Sequence, residues 1–482
     1  MKRPFLLFSF IMVFFITVSH GQWRPGEMEV RVTITSPELA QQLHDMQLNG
    51  DIYHHEGYAL LYVTPAELAI LQAKGIGYEI LKEDLNNYYR NFWRERDQYH
   101  SYEEIIQEMN LLTIAYPSIC KKISYGSSVG GRELVTLKIS DNVDDDEDEP
   151  EVMFDGGIHG DEIGGPENLI RFAKFLCQNY GVDPYVTTLI DTREIWLYIM
   201  VNPDGRVHMS RYNNNGVDLN RDFGYMWRGE GSSTGYYSQI ESKALRNCMY
   251  ENQFVVHTSY HSGTVFLSYP WSYRPDPCPD QPHIHALGMV YANSSGYTSL
   301  TVQQGYYGMY PINGSTKDSY YGTMGSVGWS MELSMNKQPP PTQIQYYYEI
   351  NEPAMLAMIE HAGFGIRGMV TDAVTGEPVQ AAIYVEDSYP SYNDPVVGDF
   401  HKYLVPGSYN VTAIAGGYQS STESVTVTAN NAATVNFSLQ PGGGNYAYRV
   451  PACYIPNNNF DDEGTTYFEV TKYPLPSEQS AS

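Results

Sequence analysis

The amino-acid sequence predicts an α/β protein with a mixed, mostly parallel sheet and helices on both faces of that sheet. Between residues 96 and 362, short apolar runs of strand length alternate with longer segments of helical periodicity. Such alternation is typical of a sheet that is assembled from βαβ units. After residue 363 the helical segments stop, and short alternating strands with glycine-rich turns follow. This change of pattern predicts a small β-sandwich at the end of the chain.

The composition indicates a globular chain that does not bind nucleic acid. The chain has 482 residues, of which 42% are hydrophobic and 18% charged, and its formal net charge is −27. The length suggests several domains. Binding to a phosphate backbone needs basic patches, which a strongly acidic chain disfavours. Any anionic substrate must therefore be bound by local lysine or arginine side chains that act against the overall negative charge.

The first 21 residues have the pattern of a secretory signal peptide. Basic residues at positions 2 and 3 precede an apolar run over residues 5–18, and small residues follow it. The run of about 14 residues is shorter than the roughly 20 that a helix needs to span a bilayer. The sequence therefore predicts that residues 1–21 are a signal peptide. It also predicts an extracellular, secreted or periplasmic protein without a membrane span.

Residues 22–95 resemble a small α/β module in their pattern. The expected elements are strands at 28–34, 58–63 and 78–81 and helices at 37–47 and 65–75. A polar and aromatic segment at 86–97 is the expected linker. A βαβαβ-like unit of this size suits either a prodomain or an interaction module, and its sequence does not choose between these two roles.

Residues 96–362 form the expected main domain. Its first helix, 101–117, begins at Ser101 with a glutamate three residues later, which is a capping box. The other expected elements are strands at 134–140, 151–158, 194–202, 254–262 and 327–333 and helices at 166–180, 242–250 and 352–363. Ligands of such sheets bind beyond the carboxyl ends of the strands. His159, His261 and Glu332 all lie at or near such ends.

The C-terminal part consists of the expected sandwich at 363–441 and a tail at 442–482. The tail contains GGG and NNN and has no assignable structure. Five cysteines are widely spaced along the chain and form no CxxC pair, which argues against a zinc knuckle or a disulfide scaffold. We expect the protein to be a monomer.

A histidine and a glutamate that lie three residues apart are the strongest local signal of chemistry. In HGDE (159–162), the side chains of His159 and Glu162 can reach one cation, and their nitrogen and oxygen donors suit zinc. A catalytic zinc site needs a third protein ligand and an open position for water. His257 and His261 are both available in one strand. His261 is favoured because it ends that strand, where side chains face the cleft.

Five motifs then suggest a known family. They are HGDE (159–162), NPDG (202–205), GVDLNRDF (216–223), HSG (261–263) and WSMEL (329–333). In this order and spacing, the set resembles the metallocarboxypeptidases of the carboxypeptidase A/B superfamily (M14), over roughly residues 99–362. The expected sandwich looks like the transthyretin-like domain of the regulatory branch, which includes carboxypeptidases N, E, M and D. The resemblance implies one zinc ion per chain and hydrolysis of the C-terminal bond of peptides or proteins.

Carried over by residue, the resemblance implies zinc on His159, Glu162 and His261. Glu332 takes the position of the general base, which activates the zinc-bound water and later protonates the leaving amine. This role is physically sound because a metal lowers the pKa of its water and a nearby carboxylate can accept the proton. Burial of Glu332 in an apolar strand without a function would be costly.

The resemblance also implies four substrate contacts. Asn220 and Arg221 match the pair that binds the free carboxylate, a task that suits a planar guanidinium. Arg211 matches the arginine that stabilises the developing oxyanion, with Arg206 as the weaker candidate. Tyr310 matches the tyrosine that closes over the substrate, and its alternatives are Tyr306, Tyr307, Tyr320 and Tyr321.

Lys317 matches the position at the base of the side-chain pocket, seven residues after Tyr310. A partly desolvated ammonium there needs an anion, so we expect a preference for C-terminal Glu or Asp. The regulatory branch tends to place an acid shortly after the HSG strand, but this chain has Ser272 and no acid before Asp276. Basic substrates are therefore not expected. The alternative is that Lys317 points into solvent from a loop.

Three other functions remain open at this stage. The first is a catalytically silent peptide-binding relative, although no ligand, base or carbonyl arginine is missing. The second is a zinc amidohydrolase that acts on cell-wall peptides or small acylated amino acids. The third is a mainly adhesive protein in which the N-terminal module and the sandwich carry the function.

Overall fold

The computed structural model describes residues 24–46, 48, 50–53, 57–85, 87–88, 99–386 and 388–442. The expected signal peptide, most of the expected linker and nearly all of the expected tail lie outside the described residues. No helix in the described part of the chain is both long enough and apolar enough to cross a bilayer.

The N-terminal module is an antiparallel four-stranded sheet with two helices. Its elements are β1 (Met28–Thr33), α1 (Pro37–Asp45), β2 (Gly50–Tyr53), β3 (Tyr58–Val63), α2 (Pro65–Ala73) and β4 (Glu79–Lys82). The strand order is β2-β3-β1-β4. Both helices begin after a hydroxyl side chain, that of Ser36 or Thr64, which accepts a backbone N–H, and a proline follows.

The sequence pattern missed strand β2, so the βαβαβ interpretation is wrong in its strand count. The observed βαββαβ order gives a hairpin in which β2 pairs with β3. The strand was missed because its four residues, GDIY, include glycine and aspartate, which are both uncommon in strands. This edge strand matters for function, since it carries Asp51 toward the main domain.

The main domain is an eight-stranded sheet in the order β11-β10-β12-β9-β7-β8-β6-β5. The strands are β5 (Cys120–Ser127), β6 (Glu133–Ile139), β7 (Glu151–Gly156), β8 (Glu194–Tyr198), β9 (Phe254–His261), β10 (Val265–Tyr269), β11 (Val302–Gln304) and β12 (Val327–Leu333). The central strands β12, β9, β7 and β8 are parallel. Antiparallel pairs of β10 with β12, β6 with β8 and β5 with β6 make the sheet mixed, as the sequence predicts.

Helices cover both faces of this sheet. They are α3 (Tyr102–Ala115), α4 (Gly164–Asn179), α5 (Pro184–Ile190), α6 (Pro203–His208), α7 (Ile240–Glu251), α8 (Gln281–Ser294), α9 (Gly305–Gly308), α10 (Thr316–Ser319) and α11 (Ile344–Ala362), with a π turn at Tyr320–Met324. Alternate strand residues point to opposite faces. In β7, Val152 and Phe154 therefore join one apolar core, whereas Met153 joins the other.

The C-terminal domain is a sandwich of two four-stranded sheets. Its strands are β13 (Gly365–Asp372), β14 (Ala382–Val385), β15 (Ser391–Tyr392), β16 (Asp399–Lys402), β17 (Gly407–Ile414), β18 (Ser421–Val427), β19 (Ala432–Thr434) and β20 (Phe437–Leu439). An apolar core that includes Ile366, Phe400 and Phe437 fills the space between the sheets. Tyr389 and Tyr403 instead join the core of the main domain, so the two domains pack directly on each other.

Candidate active site

Two histidines and a glutamate meet at the carboxyl ends of the central strands. His159 follows β7, His261 is the last residue of β9, and Glu162 lies in the turn before α4. Nδ1 of His159 is 2.9 Å from a Glu162 carboxylate oxygen, and Nδ1 of His261 is 3.0 Å from the other. The two Nδ1 atoms are 3.3 Å apart. The three side chains therefore converge on one small space.

This donor set fits a zinc ion. Donors at tetrahedral positions about 2.1 Å from zinc are roughly 3.4 Å apart, close to the separations above. Two imidazole nitrogens that face each other cannot both carry a hydrogen at such a distance, and a shared cation removes the conflict. Two histidines and one glutamate also leave a fourth position for water, which is the arrangement of catalytic zinc sites.

Asp218 orients the first of these histidines and was not singled out from the sequence. Its carboxylate lies 3.1 Å from Nε2 of His159, which leaves Nδ1 as the metal-facing atom. Burial alone would raise the pKa of Asp218, but Arg211, His159 and Arg221 together hold this pKa well below its usual value. The signal was present in the sequence, because Asp218 lies inside the GVDLNRDF motif.

Glu332 lies beside the cluster, because it is paired with His261 in the register between the parallel strands β12 and β9. Burial, followed by the negative charges of Glu162 and Asp51, raises the pKa of Glu332 to about 8. A dication bound by the cluster would lower that pKa by attraction. The side chain shares one cavity with both histidines, as a base that acts on a metal-bound water requires.

The basic side chains line the same cavity. Nη1 of Arg211 is 3.3 Å from Nδ1 of His159, and Nε of Arg211 donates to Asp218 at 3.0 Å. Nη2 of Arg221 donates to the hydroxyl of Tyr310 at 3.2 Å. The side-chain oxygen of Asn220 accepts the backbone N–H of the residue before Lys317 at 3.0 Å. These groups are positioned to bind an anion next to the metal cluster.

The cavity brings together all nine predicted site residues. It has a volume of roughly 390 Å³, including its mouth, and its lining contains His159, Glu162, Arg211, Asn220, Arg221, His261, Tyr310, Lys317 and Glu332. The weaker candidates lie elsewhere. Arg206 is buried in an ion pair with Glu167 at 2.8 Å, and His257 stacks on Tyr320 at 4.3 Å.

Lys317 is buried in this cavity, so the alternative in which it points into solvent is wrong. Burial lowers the pKa of its ammonium group to about 8. Within the part of the chain that the structure describes, its Nζ atom has no ion pair and no hydrogen bond. A charged group in this environment needs an anionic partner.

Two buried hydroxyl groups lie next to the Lys317 side chain. A Cβ atom added to Gly305 would lie 2.3 Å from Oγ of Ser272 and 2.9 Å from Oγ of Ser268. The same point lies 3.1 Å from Cε of Lys317, so three polar side chains meet over this glycine. Neither hydroxyl has a hydrogen-bond partner among the described residues. Unpaired buried hydroxyls are uncommon and need an explanation.

The N-terminal module adds a carboxylate that the sequence did not predict. Asp51 lies 3.1 Å from Nη1 of Arg211 and 3.0 Å from Nζ of Lys337. Burial would raise the pKa of Asp51, but the charges of Arg211 and Lys337 lower it. Lys337 also lies 3.4 Å from Glu162. Neither residue was predicted, because each is a single charged side chain outside the motifs.

Sequence comparison identifies relatives over most of this chain. The family profile described as zinc carboxypeptidase matches residues 105–354. Carboxypeptidase SOL1 of Arabidopsis thaliana is 30% identical over 357 residues, which cover 71% of this chain and 72% of the relative. The carboxypeptidase N catalytic chain of Homo sapiens is 28% identical over 393 residues, with 71% and 86% covered. In carboxypeptidase D of Mus musculus, the match at 31% identity covers 67% of this chain but 26% of the relative.

Solved structures support the same fold. Carboxypeptidase A from Helicoverpa armigera superposes with a TM-score of 0.58 at 19% identity, covering 69% of this chain and 96% of its own. Thrombin-activatable fibrinolysis inhibitor superposes with a TM-score of 0.57 at 20% identity, and the match covers 70% of this chain and 99% of the inhibitor. At such identities the likeness shows the fold alone, and it confirms the predicted fold class. The profile and the Arabidopsis relative show more: this chain belongs to the zinc carboxypeptidase family, M14, and is a metallocarboxypeptidase.

Proposed function

We propose that this enzyme removes acidic residues from the C-termini of peptides, with zinc held by His159, Glu162 and His261. The observation that carries the proposal is the cavity in which this cluster, the carboxylate of Glu332 and the buried ammonium group of Lys317 lie together. The metal cluster and the carboxylate suit peptide hydrolysis in general. The ammonium group restricts which C-terminal side chain is bound well.

When bound, zinc supplies a Lewis acid that polarises the scissile carbonyl and lowers the pKa of a water molecule. Glu332 accepts the proton of that water and passes it to the leaving amine. Arg211 stabilises the negative charge that develops on the carbonyl oxygen. Asp218 holds His159 in the required tautomer and Arg211 in position, through contacts of 3.1 and 3.0 Å.

The restriction to C-termini follows from the terminal carboxylate. Arg221 and Asn220 bind this group, since a guanidinium and an amide can donate several hydrogen bonds to one carboxylate. Tyr310 lies against Arg221, with its hydroxyl 3.2 Å from Nη2, and closes over the bound residue. An internal peptide segment offers no carboxylate at this place and is bound poorly.

The preference for glutamate or aspartate comes from Lys317. Its ammonium group is buried and makes no direct ion pair among the described residues. The carboxylates of Asp318 and Glu332 attract it only from a distance, so a substrate carboxylate supplies the direct partner. The hydroxyls of Ser268 and Ser272 can donate to that same carboxylate, because both are buried beside the lysine and have no hydrogen-bond partner in the described part of the chain. An arginine or lysine side chain in this pocket would face repulsion instead.

Initial rates on blocked dipeptides that end in Glu, Arg, Phe and Lys test the preference. The wild-type enzyme should favour Glu, and Lys317→Asp should shift the preference toward Arg and Lys. Lys121→Asp makes the same charge change on an exposed strand and should leave the order of substrates unaltered. A wild-type preference for Arg would refute the pocket assignment. Faster hydrolysis of acylated amino acids or cell-wall peptides would favour the amidohydrolase alternative.

The N-terminal module acts as a blocking segment. Asp51 already occupies Arg211 with its carboxylate, and the hydroxyl of Tyr310 lies 3.4 Å from the same Asp51 oxygen. A peptide substrate needs both of these groups. The chain is therefore latent while the module is docked, and release of the module activates it.

Residues 1–21 direct the chain out of the cytoplasm and are then removed. The pattern of basic, apolar and small residues supports this part of the proposal. Expression of the full chain in a secreting host, followed by mass spectrometry of the mature N-terminus, tests it. A mature chain that still begins at Met1 would contradict the signal peptide.

A further inference from the structure

Tyr389 of the sandwich is inserted into the main domain. Tyr389 lies in the loop between β14 and β15 and is buried, with 1% of its surface exposed. Its backbone N–H donates to the carboxylate of Asp280 at 2.8 Å, and its carbonyl accepts from Lys402 at 2.9 Å. Both backbone groups are thus held by charged side chains, which keep the loop in place.

The inserted ring packs on the segment that follows Lys317. The centroid of the Tyr389 ring is 4.8 Å from that of Tyr321, and its hydroxyl donates to the carbonyl of Gly322 at 3.1 Å. Tyr321 and Gly322 belong to the π turn Tyr320–Met324, which continues directly from α10 (Thr316–Ser319). π turns are rare and often occur at functional sites, so this turn needs support from outside the helix.

The same ring also packs against the segment that carries Ser272. Trp271 lies 5.8 Å from Tyr389 and 4.9 Å from Tyr321, measured between ring centroids. The next residue, Ser272, donates its backbone N–H to the carboxylate of Asp318 at 2.9 Å. Tyr389 therefore packs behind the two chain segments whose side chains, Lys317 and Ser272, lie next to each other over Gly305.

We infer that the sandwich is a positioning element for substrate specificity, with Tyr389 as the residue through which it acts. Tyr389 does not line the cavity itself. It sets the place of the helix that carries Lys317 and of the segment after β10 that carries Ser272. The inference rests on the proposed function only in taking this cavity as the pocket for the C-terminal side chain. It does not depend on which side chain the pocket prefers.

A matched pair of variants tests this role. Tyr389→Leu removes the inserted ring, whereas Phe437→Leu removes a ring that packs only within the sandwich core. Each variant is assayed as the zinc-loaded full chain and again after limited tryptic cleavage, for which Arg90 and Arg94 offer sites. Circular dichroism and the thermal midpoint report whether each variant is folded. Substrates are blocked dipeptides that end in the preferred residue or in glycine, which has no side chain to place.

Tyr389→Leu should lower kcat/KM for the preferred residue about tenfold, mainly through KM, as a displaced pocket contact does. The glycine substrate should change by less than a factor of about two, because it does not use the pocket. Tyr389→Phe keeps the ring and should restore most of the loss. Phe437→Leu should leave the ratio between the two substrates unchanged.

The inference is overturned if Tyr389→Leu slows both substrates equally, slows neither, or is matched by Phe437→Leu. A double variant with Lys317→Met adds an independent check. If Tyr389 acts through the pocket, the fold loss in kcat/KM of the double variant is smaller than the product of the fold losses of the two single variants. A wild-type preference for a residue other than Glu or Asp would refute the proposed specificity, while the comparison of Tyr389 with Phe437 would still apply.

Discussion

The carboxylate of Asp51, on the edge strand of the N-terminal module, lies 3.1 Å from Nη1 of Arg211 in the catalytic cavity. Lys337 lies 3.0 Å from the other oxygen of the same carboxylate. All three side chains are buried. This contact joins the module to the groups that we propose bind the substrate, and it makes the uncleaved chain testable as a latent enzyme.

Replacing Asp51 with alanine should activate the uncleaved chain. Breaking a buried ion pair costs about 3–5 kcal/mol, and a rise of about tenfold in rate requires the loss of only ~1.4 kcal/mol of docking free energy. We therefore expect at least a tenfold higher initial rate for Asp51→Ala on a blocked dipeptide. Asp45→Ala removes an exposed acid of the same module and should have no effect. An unchanged rate for Asp51→Ala would show that the module does not restrain the site.

Glu332→Gln should abolish hydrolysis while the metal stays bound. The amide keeps the size of the side chain but cannot accept the proton of the water, and general-base catalysis contributes about 10²–10⁴-fold. Rates on a peptide substrate and zinc content by atomic absorption measure the two effects separately. Glu349→Gln makes the same change on the exposed face of α11 and serves as the control. Full activity in Glu332→Gln would refute its assignment as the base.

The preference for acidic C-termini should depend on pH through Lys317. Burial lowers the pKa of this ammonium group to about 8, so the positive charge is present below that pH and lost above it. The ratio of kcat/KM for C-terminal Glu to that for C-terminal Leu should therefore fall as pH rises through about 8. Using a ratio cancels the titration of Glu332, which affects both substrates. A ratio that stays flat from pH 6 to about 10 would exclude the lysine as the selecting group.

Asp218→Asn should weaken zinc binding, because the neutral amide supports His159 less well. Loss of such an outer carboxylate typically lowers metal affinity about 10–100-fold. Competition with a chelator of known affinity measures the change without reference to activity. Asp222→Asn is the control, because it alters a buried acid of the same motif whose carboxylate accepts hydrogen bonds from the hydroxyls of Ser238 and Ser242. This variant should retain the wild-type affinity for zinc. A zinc affinity of Asp218→Asn equal to that of the wild type and of Asp222→Asn would show that Asp218 does not orient His159.

The motifs could be predicted from the sequence because each lies within a short segment of local structure. HGDE follows β7, and HSG begins with the last residue of β9. The apolar runs of both strands are evident in the sequence, so the carboxyl-end rule brings His159 and His261 to one edge of the sheet. The distance of 3.3 Å between the Nδ1 atoms of these two histidines agrees with that rule. Lys317 was placed by the resemblance to the family, seven residues after Tyr310, and only its surroundings in the structure distinguish a buried charge from an exposed one.

The amino-acid sequence by itself determined the alternation of strands and helices in the main domain and the motifs that carry His159, Glu162, His261 and Glu332, because these depend on local periodicity and on strand ends. The remaining site residues followed from the resemblance to the family that these motifs carry. The tertiary structure alone decided that Asp51 docks on Arg211 and that Tyr389 packs behind the Lys317 pocket. The first contact joins residues that are more than a hundred positions apart in the sequence. The second joins the sandwich to the main domain. Their formation depends on how the folded surfaces complement each other, a property that no local sequence pattern encodes.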